Sequence, residues 1–106
     1  MVKKYNKLVR DRIPQIIRSQ GKSCITQVLE PAQYKHCLEK KLQEELDEYL
    51  ESGNMEELAD LLEVMMAVAA AAGHTWQEVE TIRIEKRNQR GGFEDRIALL
   101  EVSESC

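Results

Sequence analysis

The sequence is poor in the residues that build disulfide frameworks and zinc sites. Its three cysteines are odd in number and contain no Cys-x-x-Cys pair, so we expect free thiols at Cys24, Cys37 and Cys106. The two histidines are isolated from each other and from the cysteines, and packing or surface roles are expected for His36 and His74. Metal chemistry based on sulfur and imidazole is therefore not indicated.

Aromatic residues and long apolar runs are scarce as well. One Trp, three Tyr and one Phe occur in 106 residues, so a single domain spanning residues 1–106 must build its core mainly from aliphatic side chains. The apolar run 61–73 is too short and too rich in alanine for a membrane span, and no apolar stretch follows the N-terminal MVKKYNK as in a signal peptide. We expect a cytoplasmic protein without a membrane partner.

Charge is distributed unevenly although the net charge is only -4. Residues 1–22 carry seven Lys or Arg against one acid, whereas residues 39–63 carry ten acids against two lysines. An acidic centre repels nucleic acid, so no nucleic-acid polymer is expected as a partner.

Turn signals divide the chain into helices and two short apolar segments. IPQIIRSQGK predicts a short helix that Gly21 ends, and long helices are predicted from residue 31 or 32 to about 52 and from 55 to 73. A third long helix should begin after Thr75, in a capping box with Glu78, and end at residue 90. Apolar and polar residues alternate in SCITQVLE and in residues 96–102, and this alternation predicts two short strands that could pair. The expected fold is an all-α bundle with a small two-stranded β element.

Helical periodicity directs two acids of the first long helix toward its apolar side. At about 100° per residue, one stripe contains Tyr34, Leu38, Leu42, Leu46 and Tyr49. Glu45 lies about 40° from the centre of this stripe and therefore points toward the core side, and Glu48 lies at its edge. Glu44 projects toward the opposite face together with Asp47 and Glu51, where solubility is a sufficient explanation.

The second long helix is apolar around most of its circumference. One face contains Leu58, Leu61, Leu62, Met65, Val68 and Ala69, and a second contains Val64, Ala67 and Ala71. One chain has too few helices to cover both faces, and the alanine run 69–72 permits close helix approach, so a homo-oligomer, a dimer or a tetramer, is expected.

Acids also point into this second face. Asp60 projects into it and Glu57 borders it, so Glu45, Glu48, Glu57 and Asp60 converge across two antiparallel helices. Ionised carboxylates in packing surfaces need a cation, and Mg²⁺, with Mn²⁺ as a substitute, suits an all-oxygen ligand set. The alternative is structural, because Lys41 could pair with Glu45 and acids near a helix start favour the macrodipole.

The third long helix has a basic end. Lys86 and Arg90 share a face with Val79 and Ile82 and are candidates for binding phosphate groups. Arg83 lies on the same face, but there interaction with the helix dipole is the better explanation. In the basic N-terminal segment LVRDRIP, Arg10 and Arg12 are weaker candidates.

The two acidic motifs resemble a known superfamily. EELDE contains ExxE at Glu45 and Glu48, and EELAD contains ExxD at Glu57 and Asp60. This ExxE…ExxD pair resembles the all-α nucleotide pyrophosphohydrolases, which include MazG, phosphoribosyl-ATP pyrophosphohydrolase and the dimeric dUTPases. YNKLVRDRIPQII and EKRNQRGGFEDRI are similar to a small MazG-like subgroup.

The resemblance implies Mg²⁺-dependent hydrolysis of a nucleoside triphosphate between its α and β phosphorus atoms, which yields the monophosphate and pyrophosphate. It implies that the four acids are the metal ligands and that the protein is a dimer or a pair of dimers. Glu45 and Glu48 are the candidates for a general base. Two alternatives are a phosphoribosyl-ATP pyrophosphohydrolase of histidine biosynthesis and a catalytically silent helical module that binds nucleotides or a protein. No motif reports on the preferred base.

Overall fold

The computed structural model describes residues 2–104 and is all-helical in this range. The four helices are α1 (Ile13–Ser19), α2 (Pro31–Ser52), α3 (Met55–Ala71) and α4 (Trp76–Arg90). The chain forms two compact units, Met1–His74 and Thr75–Cys106. The predicted all-α class is confirmed.

Local signals set the helix boundaries. Pro31 occupies the first position of α2, where its missing N–H leaves no hydrogen bond unmade, and the Glu30 N–H donates to Oε1 of Gln33 in a capping box. Gly53 ends α2 with a φ of 69°, a left-handed conformation that glycine adopts without a steric penalty. The predicted boundaries of α2 are therefore confirmed.

The start of α4 is fixed by the predicted threonine cap. The N–H of Glu78 donates to Oγ1 of Thr75 at 3.2 Å, and α4 then runs from Trp76 to Arg90. This hydrogen bond satisfies one of the backbone donors that every helix leaves unpaired in its first turn.

The two predicted strands are wrong. Residues 23–30 and 96–102 form neither strand nor helix in the described chain, and Ile25 and Val28 are fully exposed. Alternation stabilises a strand only where its apolar side can pack against a core, and a single pair of strands is marginal without one.

The first unit is built on the pairing of α2 with α3. A two-residue connection, Gly53 and Asn54, joins these helices, and they are the helix pair in contact among the described residues. Leu38 of α2 and Val64 of α3 are its buried apolar side chains. One carboxylate, Glu45, is buried beside them. The core is small, and a charged group is part of it.

The two apolar faces of α3 are in different environments. Val64 is buried and Ala67 is half-buried, so this side is the one that packs within the chain, whereas Ala71 is exposed. On the other face Leu61, Val68 and Ala69 are half-buried, whereas Leu58, Leu62 and Met65 are exposed. The exposed part forms a shallow apolar groove lined by Met55, Leu58, Ala59, Leu61, Leu62 and Met65. If a second copy covers α3, it therefore covers this groove rather than the alanine face.

The second unit consists of α4 and the segment that follows it. Arg83 pairs with Glu80 at 2.9 Å along the helix, and Arg87 at the helix end pairs with Glu94 at 2.6 Å. The apolar residues after the helix are exposed, among them Phe93 and Leu100.

Two further expectations concern cysteines and membrane spans. Cys24 and Cys37 are free thiols as predicted, and Cys106 lies outside the described residues. Among residues 2–104 no helix is by itself long and apolar enough to cross a membrane; α3 and α4 reach the required length and composition only when they are taken together.

Candidate functional site

Two paired helices bring three carboxylates together. Glu45 lies on α2, and Glu57 and Asp60 lie three residues apart on α3, a spacing that places both on one side of the helix. One oxygen atom from each residue lies within 4.8 Å of the oxygens of the other two. We call Glu45, Glu57 and Asp60 the acidic cluster. Residues separated by the turn between α2 and α3 thus share one small volume.

Glu45 is the most constrained member of the acidic cluster. Its residue surface is only 7% exposed, and its Oε2 atom has no hydrogen-bond partner. Its Oε1 atom lies 3.5 Å from Nζ of Lys41, one turn earlier on α2. A buried ionised oxygen without a partner is costly, so this atom requires a proton or a cation.

The helical phase of α2 explains this burial. Leu38 and Glu45 are buried and Tyr49 is half-buried, whereas Leu46, which was predicted to lie in the apolar stripe, is exposed. The buried stripe is thus rotated toward Glu45, so that a carboxylate occupies a central position that a leucine would otherwise take.

The fourth predicted ligand, Glu48, lies beside the acidic cluster and interacts with two of its members. Burial raises the pKa of Glu45, and the neighbouring carboxylate of Glu48 raises it further, whereas Lys41 lowers it and Asp60 again raises it. Desolvation likewise raises the pKa of Glu57, with further contributions from Glu48 and then from Asp60 and Glu56. Glu48 itself is exposed. Both pKa shifts have burial as their largest cause and an excess of negative charge as the second.

Two lysines compensate part of the negative charge on the α2 side of the acidic cluster. The Lys41 side chain is 16% exposed, and its Nζ atom lies 3.4 Å from Oε1 of Glu44 as well as 3.5 Å from Glu45. Lys7 of the N-terminal segment lies 3.7 Å from the same Glu44 oxygen. The prediction that Glu44 projects away from this face is therefore wrong, because a residue three positions after Lys41 shares its side of the helix.

Arg10 reaches the acidic cluster from outside the helix pair. Its Nη2 atom lies 2.6 Å from Oδ1 of Asp60, fifty residues away in sequence. The side chains of the pair are 57% and 41% exposed, respectively. From the sequence Arg10 was only a weaker candidate, because a strongly basic segment needs no ligand to explain it, and no periodicity links positions so far apart. The available signal was the strong excess of positive charge in residues 1–22 opposite an acidic centre.

The predicted phosphate-binding residues lie in the second unit. Lys86 and Arg90 are exposed on α4, and neither forms an ion pair within residues 2–104. Arg83 is bound by Glu80, whose hydrogen bond raises the pKa of Arg83 while the pKa of Glu80 falls. This pairing explains Arg83 without a ligand. A role for Lys86 and Arg90 at the acidic cluster stays a prediction.

The acidic cluster fits a hard divalent cation. Three carboxylate oxygens within 4.8 Å of one another can share one ion at the bond lengths of about 2.1–2.5 Å that Mg²⁺ and Ca²⁺ take with oxygen. The unpartnered Oε2 of Glu45 supplies an available lone pair at a buried position. Sulfur and imidazole are absent from this donor set, as they would not be in a typical zinc site.

No family model matches this chain, and comparisons with curated proteins and with solved structures likewise find no match. The case for a function therefore depends on the acidic cluster and on the sequence motifs around it.

Proposed function

We propose that the chain is a Mg²⁺-dependent nucleoside triphosphate pyrophosphohydrolase of the MazG-like type, which converts its substrate to the nucleoside monophosphate and pyrophosphate. The observation that carries the proposal is Glu45, a buried carboxylate that lies in one cluster with Glu57 and Asp60 and whose Oε2 atom has no hydrogen-bond partner among the described residues. A protein that only needed a stable helix pair would gain by placing an apolar side chain there.

The residues take distinct roles in this proposal. Glu45, Glu57 and Asp60 hold the ion, and Glu48 adds a fourth carboxylate at their edge. Bound Mg²⁺ supplies charge neutralisation of the triphosphate, in-line orientation and a lowered pKa for coordinated water. Lys41 stays on Oε1 of Glu45, so Oε2 would be available to a bound ion.

Glu48 is the better placed of the two candidate general bases. It is exposed, so water can approach it, and it interacts with both Glu45 and Glu57. Glu45 is buried and engaged by Lys41. We therefore assign proton acceptance from the attacking water to the carboxylate of Glu48 and ligand binding to Glu45.

Substrate binding and assembly complete the proposal. Lys86 and Arg90 are assigned to the phosphate groups of the substrate. The exposed apolar groove on α3 is assigned to a homo-oligomer, since contiguous apolar surface of this kind marks an interface. A cytoplasmic location is proposed because the substrate class occurs there and because Cys24 and Cys37 are free thiols.

Phosphoribosyl-ATP pyrophosphohydrolase activity is the nearest alternative, because the same acidic cluster would serve it. The motifs YNKLVRD and EELADLLEV resemble the MazG-like subgroup more closely. A catalytically silent helical module is the alternative from another class. Such a module has no use for a buried carboxylate oxygen without a partner, and this observation favours the enzyme.

The test is product analysis with purified protein, Mg²⁺ and a panel of standard, deoxy and modified nucleoside triphosphates together with phosphoribosyl-ATP. We expect pyrophosphate and the monophosphate from at least one nucleoside triphosphate, and no release without a divalent ion. Preference for phosphoribosyl-ATP would select the first alternative. Orthophosphate as the only product, or no turnover of any compound, would refute the proposal.

A further inference from the structure

The N-terminal arm, which we define as residues 2–12, carries positive charge to the acidic cluster. The arm contains no helix or strand, yet Arg10 lies 2.6 Å from Asp60 and Lys7 lies 3.7 Å from Glu44. Two cations of the arm thus contact the acidic face of the helix pair.

Two cations contact members of the acidic cluster, and they differ in accessibility. Lys41 is rooted in α2, is 16% exposed and contacts both Glu44 and Glu45. Arg10 is 57% exposed, and one N–H group binds one oxygen of Asp60. A guanidinium has five N–H donors, so most of its donor capacity remains for a ligand that approaches from solvent.

We propose that Arg10 is a phosphate-binding residue that exchanges Asp60 for the phosphates of the metal-bound substrate. This inference rests on the proposed function and names a substrate-binding residue for it. When a divalent ion binds the acidic cluster, it neutralises the charge on Asp60 that attracts the guanidinium. A phosphate group bound to the same ion then offers Arg10 a pair of oxygens that match its planar fork.

The N-terminal arm is held close to the acidic cluster on both sides of Arg10, so the guanidinium needs to move only a short distance between Asp60 and a phosphate group. Arg10 lies three residues before Ile13, where α1 begins, and three residues after Lys7, which is held at Glu44. The guanidinium can therefore move from Asp60 to a ligand on the same ion by side-chain rotation. An exposed ion pair contributes little to stability, so its loss costs the fold little.

The experiment separates metal binding from phosphate binding in the full chain. Mn²⁺ alone is titrated by electron paramagnetic resonance, and the Mg²⁺ complex of inorganic pyrophosphate, which carries the phosphate chemistry of the substrate class without a base, is titrated by calorimetry. The variants are Arg10→Gln, Arg10→Lys and the control Lys4→Gln. Lys4 is an exposed cation of the same arm that forms no ion pair within the described residues.

Arg10→Gln should bind Mn²⁺ at least as tightly as wild type, because a competing cation has been removed from Asp60. It should bind Mg²⁺–pyrophosphate about tenfold or more weakly, since a charge-assisted hydrogen-bond pair is lost. Arg10→Lys should fall between Arg10→Gln and wild type because it keeps the charge without the fork. Lys4→Gln should match wild type in both titrations.

Four results would overturn the inference. Wild-type affinity of Arg10→Gln for Mg²⁺–pyrophosphate would remove Arg10 from the phosphate site and leave the proposed function intact. Loss of Mn²⁺ binding in Arg10→Gln would make Arg10 a positioning residue for Asp60 instead. A wild-type chain that binds Mn²⁺ but not the pyrophosphate complex would also contradict it. Failure of wild type to bind Mn²⁺ at all would refute the proposed function, and this inference with it.

Discussion

Nζ of Lys41 lies 3.5 Å from Oε1 of Glu45, while Oε2 of the same carboxylate has no hydrogen-bond partner among residues 2–104. One oxygen is thus paired within α2, and the same carboxylate lies in a cluster with Glu57 and Asp60 whose ligand oxygens are within 4.8 Å of one another. The sequence also allowed a structural alternative, in which Lys41 simply neutralises Glu45. This pairing accounts for Oε1 alone, and a bound cation would satisfy Oε2.

Divalent ions should stabilise the fold. Without them the acids of the cluster repel one another, so millimolar Mg²⁺ or Mn²⁺ should raise the melting temperature of wild type. Asp60→Asn should abolish most of this rise, because it removes one ligand charge. Glu63→Gln changes an exposed acid of α3 outside the acidic cluster, so it is the control and should keep the wild-type response. Equal shifts in wild type and Asp60→Asn, measured by differential scanning fluorimetry, would exclude Asp60 from the site.

The metal-free protein should lose stability as pH rises from the ordinary carboxyl pKa of 4.5 toward neutrality. Glu45 and Glu57 have raised pKa values in the folded chain, so the folded state binds protons in a range where the unfolded state has released them. Their stabilising contribution is complete below 4.5 and is lost as pH rises through the raised values. The pKa values of Glu80 and Glu94 are lowered, so these two residues change the stability only below pH 4.5 and do not offset this loss.

Urea unfolding followed by circular dichroism at several pH values measures this dependence. Glu45→Gln should flatten it and should stabilise the metal-free chain at neutral pH by about 1 kcal/mol, because a buried charge is replaced by a neutral amide. Glu63→Gln should keep the wild-type slope. A slope in Glu45→Gln equal to that of wild type would mean that Glu45 is not a source of the pH dependence.

Self-association should depend on the exposed groove of α3. Wild type should scatter light as a dimer or larger species at micromolar concentration, and Leu62→Glu should lower the mass by placing an unpaired charge in the apolar groove. Leu50→Glu adds the same charge to an exposed leucine of α2 outside the groove and should leave the mass unchanged. A folded monomeric wild type would contradict the proposed assembly.

The helices were predictable because their signals are local. Pro31, Gly53 and Thr75 each act within a few residues of a helix end, and α2 and α4 have the predicted boundaries. The second long helix ends at Ala71, two residues before the predicted glycine. The predicted strands were wrong because they were inferred from the alternation of apolar and polar residues alone. A strand also needs its apolar side to pack against a core, and Ile25 and Val28 are exposed.

Only the part of the site that lies on regular helices was predictable, because helical periodicity fixes the direction of side chains there and nowhere else. Phase placed Glu45, Glu57 and Asp60 on converging faces, since each lies on a long regular helix. It could not place Arg10 at Asp60 or Lys7 at Glu44, because the arm has no regular structure and the contacts span long sequence separations. Contacts of this kind depend on tertiary geometry, to which charge asymmetry is the only guide in the sequence.

The central claim is that the acidic cluster holds the catalytic ion, and two neighbouring glutamates of α3 test it most directly. Glu57 belongs to the cluster, whereas Glu56 is exposed beside it. Replacing either by Gln removes one charge and keeps the size of the side chain. The two variants therefore differ only in which face of α3 loses a carboxylate.

The measurement is the initial rate of Mg²⁺-dependent pyrophosphate release for wild type, Glu57→Gln and Glu56→Gln, with folding of each verified by circular dichroism. Glu57→Gln should be slower by roughly a hundredfold or more, equivalent to about 3 kcal/mol on the barrier, because a ligand to the catalytic ion is lost. Glu56→Gln should retain a rate close to that of wild type. A sensitive Glu56 beside a dispensable Glu57, or wild-type rates in both variants, would contradict the assignment of the catalytic ion to this cluster.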